Sequence, residues 1–124
     1  MPTLIGPDFI GIQTEDLAAA RAFYGDRLGL PVLQQTPEVV VFDSKPVPFA
    51  VRKPLADIAA AELGRGVALW FACDDAEALH DALATEGVTI VFAPKNGPFG
   101  LYFAFRDPFG YTITVHTVAG NAAA

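Results

Sequence analysis

Few side chains in this 124-residue chain could do chemistry. His80 and His116 are its two imidazoles, the side chain that takes up and releases protons near neutral pH. His80 falls inside a helical stretch at a position expected to be solvated. His116 closes the run Thr112-Ile113-Thr114-Val115-His116; it reads as a ligand hydrogen-bond partner, a general base or a strand-end histidine. Cys73 is the single cysteine. It is either a nucleophile or, as its place at a strand end suggests, a small buried apolar residue. Trp70 is the only tryptophan, and reads as a stacking platform or as core or interface packing. Arg52 could hold an anionic or carbonyl group, or sit exposed at a strand end.

Other chemistries lack their residues. The chain has no Gly-rich phosphate loop, Cys pair, His-rich metal spacing or recognisable Ser-His-Asp arrangement. Eight basic residues are scattered against a net charge of −6, which argues against nucleic acid as a partner. No apolar run reaches the roughly 18 residues of a membrane span, and the N-terminal residues do not read as a signal peptide. One unpaired cysteine fits a reducing, cytoplasmic setting. At 52% hydrophobic and 18% charged, the composition is that of a globular domain.

The elements that must position these groups come in two copies, residues 9–52 and 68–116. In the first, Asp8–Gln13 reads as a strand and Glu15-Asp16 as a helix start. Leu17, Ala20, Tyr24 and Leu28 form one helical face ending at Leu28-Gly29. Strands follow at Pro31–Gln35, Val39–Asp43 and Phe49–Lys53. Residues 54–66 are Ala-rich and read as a linker with a helical turn. The second copy opens at Val67, its helix begins at Asp74-Asp75, buries Ala76, Leu79 and Leu83, and ends at Glu86-Gly87. Val88–Phe92, Leu101–Phe105 and Tyr111–Val118 are its later strands, and Gly120–Ala124 a frayed tail. Residues 94–100, PKNGPFG, are too rich in Pro and Gly to be regular; they read as an irregular loop or lid carrying Phe99, with an ordinary hairpin connection as the alternative. Asp16 aligns with Asp75, Gly29 with Gly87 and Asp43 with Asp107. The fold is therefore α+β: one domain, residues 1–124, of two tandem βαβββ modules at about 8–53 and 67–118. Neither copy buries enough surface alone, so the sheets are expected to curl into a half-open barrel around a shared cavity.

Asp16-Leu17, Phe23-Tyr24 and Leu28-Gly29-Leu30, with Asp74-Asp75, Gly87 and Asp107-Pro108-Phe109-Gly110-Tyr111, resemble the vicinal oxygen chelate superfamily. That superfamily holds glyoxalases, extradiol dioxygenases and bleomycin-resistance binding proteins. The resemblance covers nearly the whole chain and implies a homodimer. It also implies two metal ligands per module, usually His on the first strand and Glu on the last. Here those positions fall at Phe9, Ala50, Ala68 and Thr114, where no His, Glu or Gln stands. No metal and no other cofactor is therefore expected.

Alternate strand residues share a face, so the cavity lining extends from those positions to Gly11, Gln13, Arg52, Trp70, Ala72, Thr112 and His116. The candidate ligand contacts are Phe9, Gln13, Arg52, Trp70, Phe99, Thr114 and His116, with both Tyr102 and Phe103 because the sequence leaves open which faces inward. Small residues among flat rings and a few polar groups suit an organic ligand. The expected function is a metal-free binding protein that sequesters a bulky, partly aromatic natural product, as antibiotic-resistance proteins do. A metal-independent enzyme using His116 is the alternative, and a metal-dependent glyoxalase or dioxygenase a more distant one. A chelator such as EDTA is expected to leave the melting temperature unchanged; a drop measured by calorimetry would restore a metal-dependent reading.

Overall fold

A computed structural model of the chain describes residues 3, 5, 7–55, 58, 63, 64 and 66–118. The chain divides into two compact units, Met1–Ala61 and Glu62–Ala124. The expected linker turn falls largely outside the described residues, as does the tail 120–124.

The first unit runs β1 (Ile10–Gln13), α1 (Leu17–Ala20), β2 (Val32–Gln35), β3 (Val39–Phe42) and β4 (Phe49–Arg52). The second runs β5 (Leu69–Cys73), α2 (Ala76–Thr85), β6 (Ile90–Gly97), β7 (Gly100–Arg106) and β8 (Thr112–Thr117). Each unit is one open mixed sheet, in the order β1-β4-β3-β2 or β5-β8-β7-β6. In both, the first strand pairs parallel with the last and the remaining pairs are antiparallel. The repeat read from sequence is thus a repeat of topology.

Both helices begin and end alike. Asp16 Oδ1 accepts from the Ala19 N–H at 2.9 Å, and Asp75 Oδ1 from the Ala78 N–H at 3.0 Å. Each satisfies a donor that the first helical turn leaves free. Gly29 and Gly87 follow the helices at φ +80° and +84°. A Cβ at either would meet nothing within 4 Å, so glycine serves the left-handed turn there and not a close approach. One difference lies between the ends: α1 continues as a π-helical stretch over Arg21–Arg27, with Leu28 N–H donating to the Phe23 carbonyl at 2.9 Å.

Strand alternation sends one face of each sheet to its helix. In the first unit Phe42, Phe49, Val40 and Val51 are buried there with Ala20 and Tyr24. The Tyr24 ring lies 4.9 Å from Phe49 and 6.1 Å from Phe42, centroid to centroid. In the second unit Phe103, Phe105, Ile113 and Val115 are buried along with Ala76 and Leu83 of α2. Thr117 Oγ1 accepts from the Ala76 N–H at 3.0 Å, tying the helix start to β8.

Two expectations change. Residues 94–97 do not form an irregular loop: β6 runs to Gly97, and Pro98-Phe99 is a two-residue turn into β7. Pro94 is tolerated because β6 is an outer strand with breaks in register. His80 is half-buried and not solvated. Its ring stands edge-on to Phe103 at 5.3 Å, and Nδ1 lies 3.0 Å from Asp81.

The aligned aspartates Asp43 and Asp107 differ in what they hold. Asp107 is 5% exposed, and its Oδ1 accepts from the N–H groups of Phe109 and Tyr111, both at 2.9 Å. Asp43 pairs with Lys45 at 3.0 Å on the surface. Asp107→Ala is therefore expected to cost about 2–4 kcal/mol, because it strands two backbone donors. Asp43→Ala should cost less than about 1 kcal/mol. Urea denaturation of the two variants checks this contrast.

Candidate functional site

The face of each sheet turned away from its helix carries the remaining candidates. In the first unit the register sets Gly11 beside Ala50 and Gln13 beside Arg52, as alternation predicts. Phe9, just before β1, is 53% exposed and lies against Gly11. Gln13 Oε1 accepts from the Leu55 N–H at 2.9 Å, which pins the chain leaving β4. The half-buried Arg52 donates through Nε to the Lys53 carbonyl at 3.2 Å. This face brings together Phe9, Gln13 and Arg52, but Phe9 is its only aromatic group among these strands.

The open face of the second unit is different. Pairing across β5-β8-β7-β6 forms two rows: Trp70, Thr114, Ala104 and Phe92, then Ala72, His116, Tyr102 and Lys95. Five rings join on this face. Trp70 stacks on Tyr102, with centroids 5.6 Å apart and planes 21° from parallel. Phe99 stands edge-on to Trp70 at 5.9 Å, and His116 is 6.1 Å from both Trp70 and Phe99. Phe92 meets Tyr102 edge-on at 5.3 Å. Trp70 is 45% exposed and Phe99 61%, so the cluster offers ring faces to solvent. Two large rings left open side by side, Trp70 and Phe99, form a surface on which a flat molecule can stack.

The choice between neighbours that the sequence leaves open is settled by register. Tyr102 pairs with His116 on the open face. Phe103 is on the helix side, fully buried against Phe105 and His80. It therefore does not join the candidate contacts.

Glycines shape the cluster. A Cβ on Gly97 would lie 2.7 Å from Cδ1 of Tyr102 and nearer still to Cε1, so the missing side chain is what lets the phenol ring lie there. Gly100 has φ +109°, and a Cβ would come within 2.8 Å of the Thr117 carbonyl oxygen. The turn between them is held by His116, whose Nδ1 lies 3.2 Å from the Phe99 carbonyl oxygen and 3.3 Å from that of Thr117. Carbonyls only accept, so Nδ1 carries the proton. In the neutral ring Nε2 is then the lone-pair nitrogen.

Two residues of this face, Phe92 and Lys95, were not among the sequence candidates. The Lys95 ammonium lies 4.5 Å from the Phe92 ring centroid and 5.6 Å from that of Tyr102. Pro94 inside an apolar run was the one sequence signal of an irregular strand there. Cys73 is half-buried, and burial, more than any other influence, pushes its thiol above the ordinary cysteine range. That makes it a poor nucleophile.

The donor set does not suit a resident metal ion. Phe9, Ala50 and Ala68 offer no donor atom, and Thr114 offers only a neutral hydroxyl. Among the described residues, no three His, Cys, Asp or Glu side chains come together, whereas a divalent ion needs about three such ligands.

A tandem pair of one-helix, four-stranded sheets with identical strand order defines a paired-module α+β class. The chain belongs to the Glyoxalase/Bleomycin resistance protein/Dioxygenase superfamily, which it matches over residues 6–115. No curated protein matches it. Among solved structures it is similar to a glyoxalase-related enzyme from Fulvimarina pelagi, at 21% identity and TM-score 0.73, covering 92% of this chain and 88% of that one. A lactoylglutathione lyase from Agrobacterium tumefaciens is similar at 21% identity and TM-score 0.69, covering 93% and 95%. A glyoxalase/bleomycin resistance protein from a Streptomyces species is similar at 23% identity and TM-score 0.71, covering 90% and 99%. At these identities the likeness is one of fold. Among the described residues, no helix is long and apolar enough to cross a membrane.

Gly97→Ala is expected to push Tyr102 off its stack with Trp70, at a cost of about 1–3 kcal/mol for overpacking. Near-ultraviolet circular dichroism should change while the far-ultraviolet spectrum does not.

Proposed function

We propose that this chain is a metal-free binding protein that sequesters a bulky, partly aromatic natural product, in the manner of antibiotic-resistance proteins. The observation that carries this reading is the solvent-open cluster of Trp70, Tyr102, Phe99 and His116 on the second sheet. A planar ligand needs only ring faces to stack on and a few polar groups to orient it. Thr114 pairs with Trp70 and His116 with Tyr102 in the register, and both supply polar groups beside the rings. Donor-poor metal positions and a family that includes bleomycin-resistance proteins are in keeping with it. The protein acts as a cytoplasmic homodimer in this reading. The outer strand β2, exposed along its whole length, supports pairing with a second copy, since open strand edges need cover.

His116 also supports a second reading, a metal-independent isomerase, cyclase or lyase. A carbonyl-anchored Nδ1 leaves Nε2 of the neutral ring as acceptor, the arrangement a general base requires.

Native mass spectrometry with a panel of aromatic natural products separates the two. A ligand retained at unchanged mass, one per chain, is expected; a ligand returned with altered mass would replace sequestration with catalysis by His116. Trp70→Ala should weaken binding by about 2 kcal/mol, or roughly thirtyfold in Kd. Unchanged affinity would mean that the ligand does not seat on this cluster.

A further inference from the structure

We propose that the ligand of the aromatic face carries an anionic group and that Lys95 recognises it. The proposal rests on the binding reading above and deepens it. β6 holds one residue too many between Phe92 and Lys95: their partners on β7, Ala104 and Tyr102, are two residues apart, while they are three apart. In a regular strand, residues three apart point to opposite faces. The bulge at Ala93-Pro94 puts both on the open face.

Lys95 is therefore brought to the rings by an irregularity of the strand. Its ammonium rests over Phe92 and Tyr102, at 4.5 and 5.6 Å from the centroids, where the ring quadrupoles attract a cation. It forms no ion pair with any described carboxylate. On a chain of net charge −6, an unpaired cation at the aromatic cluster is a local reversal of sign. Tyr102 links it to Trp70, the exposed stacking ring. A flat ligand seated on Trp70 and extending past Tyr102 meets this charge at its far edge. A carboxylate, sulfonate or phenolate there gains an attractive partner that a neutral group does not.

The test uses three probes of one shape: 2-naphthoate, its methyl ester and 2-naphthylmethylammonium. Because Trp70 is the only tryptophan, its indole N–H is a single unambiguous resonance in a nitrogen-15 NMR spectrum of the whole protein. At low salt the naphthoate should bind about three- to tenfold tighter than the ester, as for a partly exposed charge pair, and the ammonium probe more weakly than either. Lys95→Met should bring the affinities of acid and ester together, whatever it does to both, and Lys95→Arg should keep them apart. The preference should also shrink at about 0.5 M salt. Equal binding of acid and ester, or a preference that survives Lys95→Met, overturns the role of Lys95 and leaves the aromatic site standing. If no probe shifts the Trp70 resonance, the binding reading fails and this inference with it.

Discussion

Each four-stranded sheet has one helix to cover it, and that single constraint organises both units. A sheet has two faces, and one helix buries one of them. The covered faces take the apolar load: Tyr24, Phe42 and Phe49 in the first unit, Phe103, Phe105, Ile113 and Leu83 in the second, all nearly or fully inaccessible. The other faces have no core duty within their own unit. Apart from small residues such as Ala50 and Ala104, which are buried there too, these faces are packed less tightly than the helix side, and they differ between the two units.

The two copies used that freedom differently. Topology, helix caps and the left-handed glycines after the helices are shared almost point for point. Their open faces are not. The first unit presents one ring, Phe9, among aliphatic, small and polar residues, with Gln13 and Arg52 bonded to the segment that follows β4. The second gathers five rings and a lysine. Even aligned turn residues diverged, since Asp107 organises buried backbone donors and Asp43 makes a surface ion pair. Shared architecture here marks common construction, and the chemistry has to be read from each unit separately.

Much of this was legible in the amino-acid sequence because two periods decide it. Apolar spacing of three and four located both helices, and alternation placed Gly11 with Gln13 and Trp70 with Ala72 before any coordinates. What escaped was everything that breaks a period. The π-helical stretch after Ala20 has no signature in residue type. Pro94 suggested a loop, yet an outer strand has no ladder bond for proline to remove on its free side. Alternation also says that one of Tyr102 and Phe103 faces the helix, but only the partner strands decide which one. Lys95 was hidden for the same reason: counting by twos from Phe92 assigns it to the wrong face.

The extra residue in β6 has a consequence for how such a surface can change over evolutionary time. Substitutions alter one side chain, whereas gaining or losing a residue at Ala93-Pro94 rotates every side chain from there to the turn by half a revolution. The core is left alone, because the helix-facing residues of β7 and β8 are set by their own pairing. The outer strand lies at the end of the sheet order, where no further strand in its unit must follow the shift. One insertion or deletion can thus exchange the whole set of groups offered from residues 94–97. In this architecture that strand is a coarse setting for the groups the open face presents, with point substitutions as the fine one.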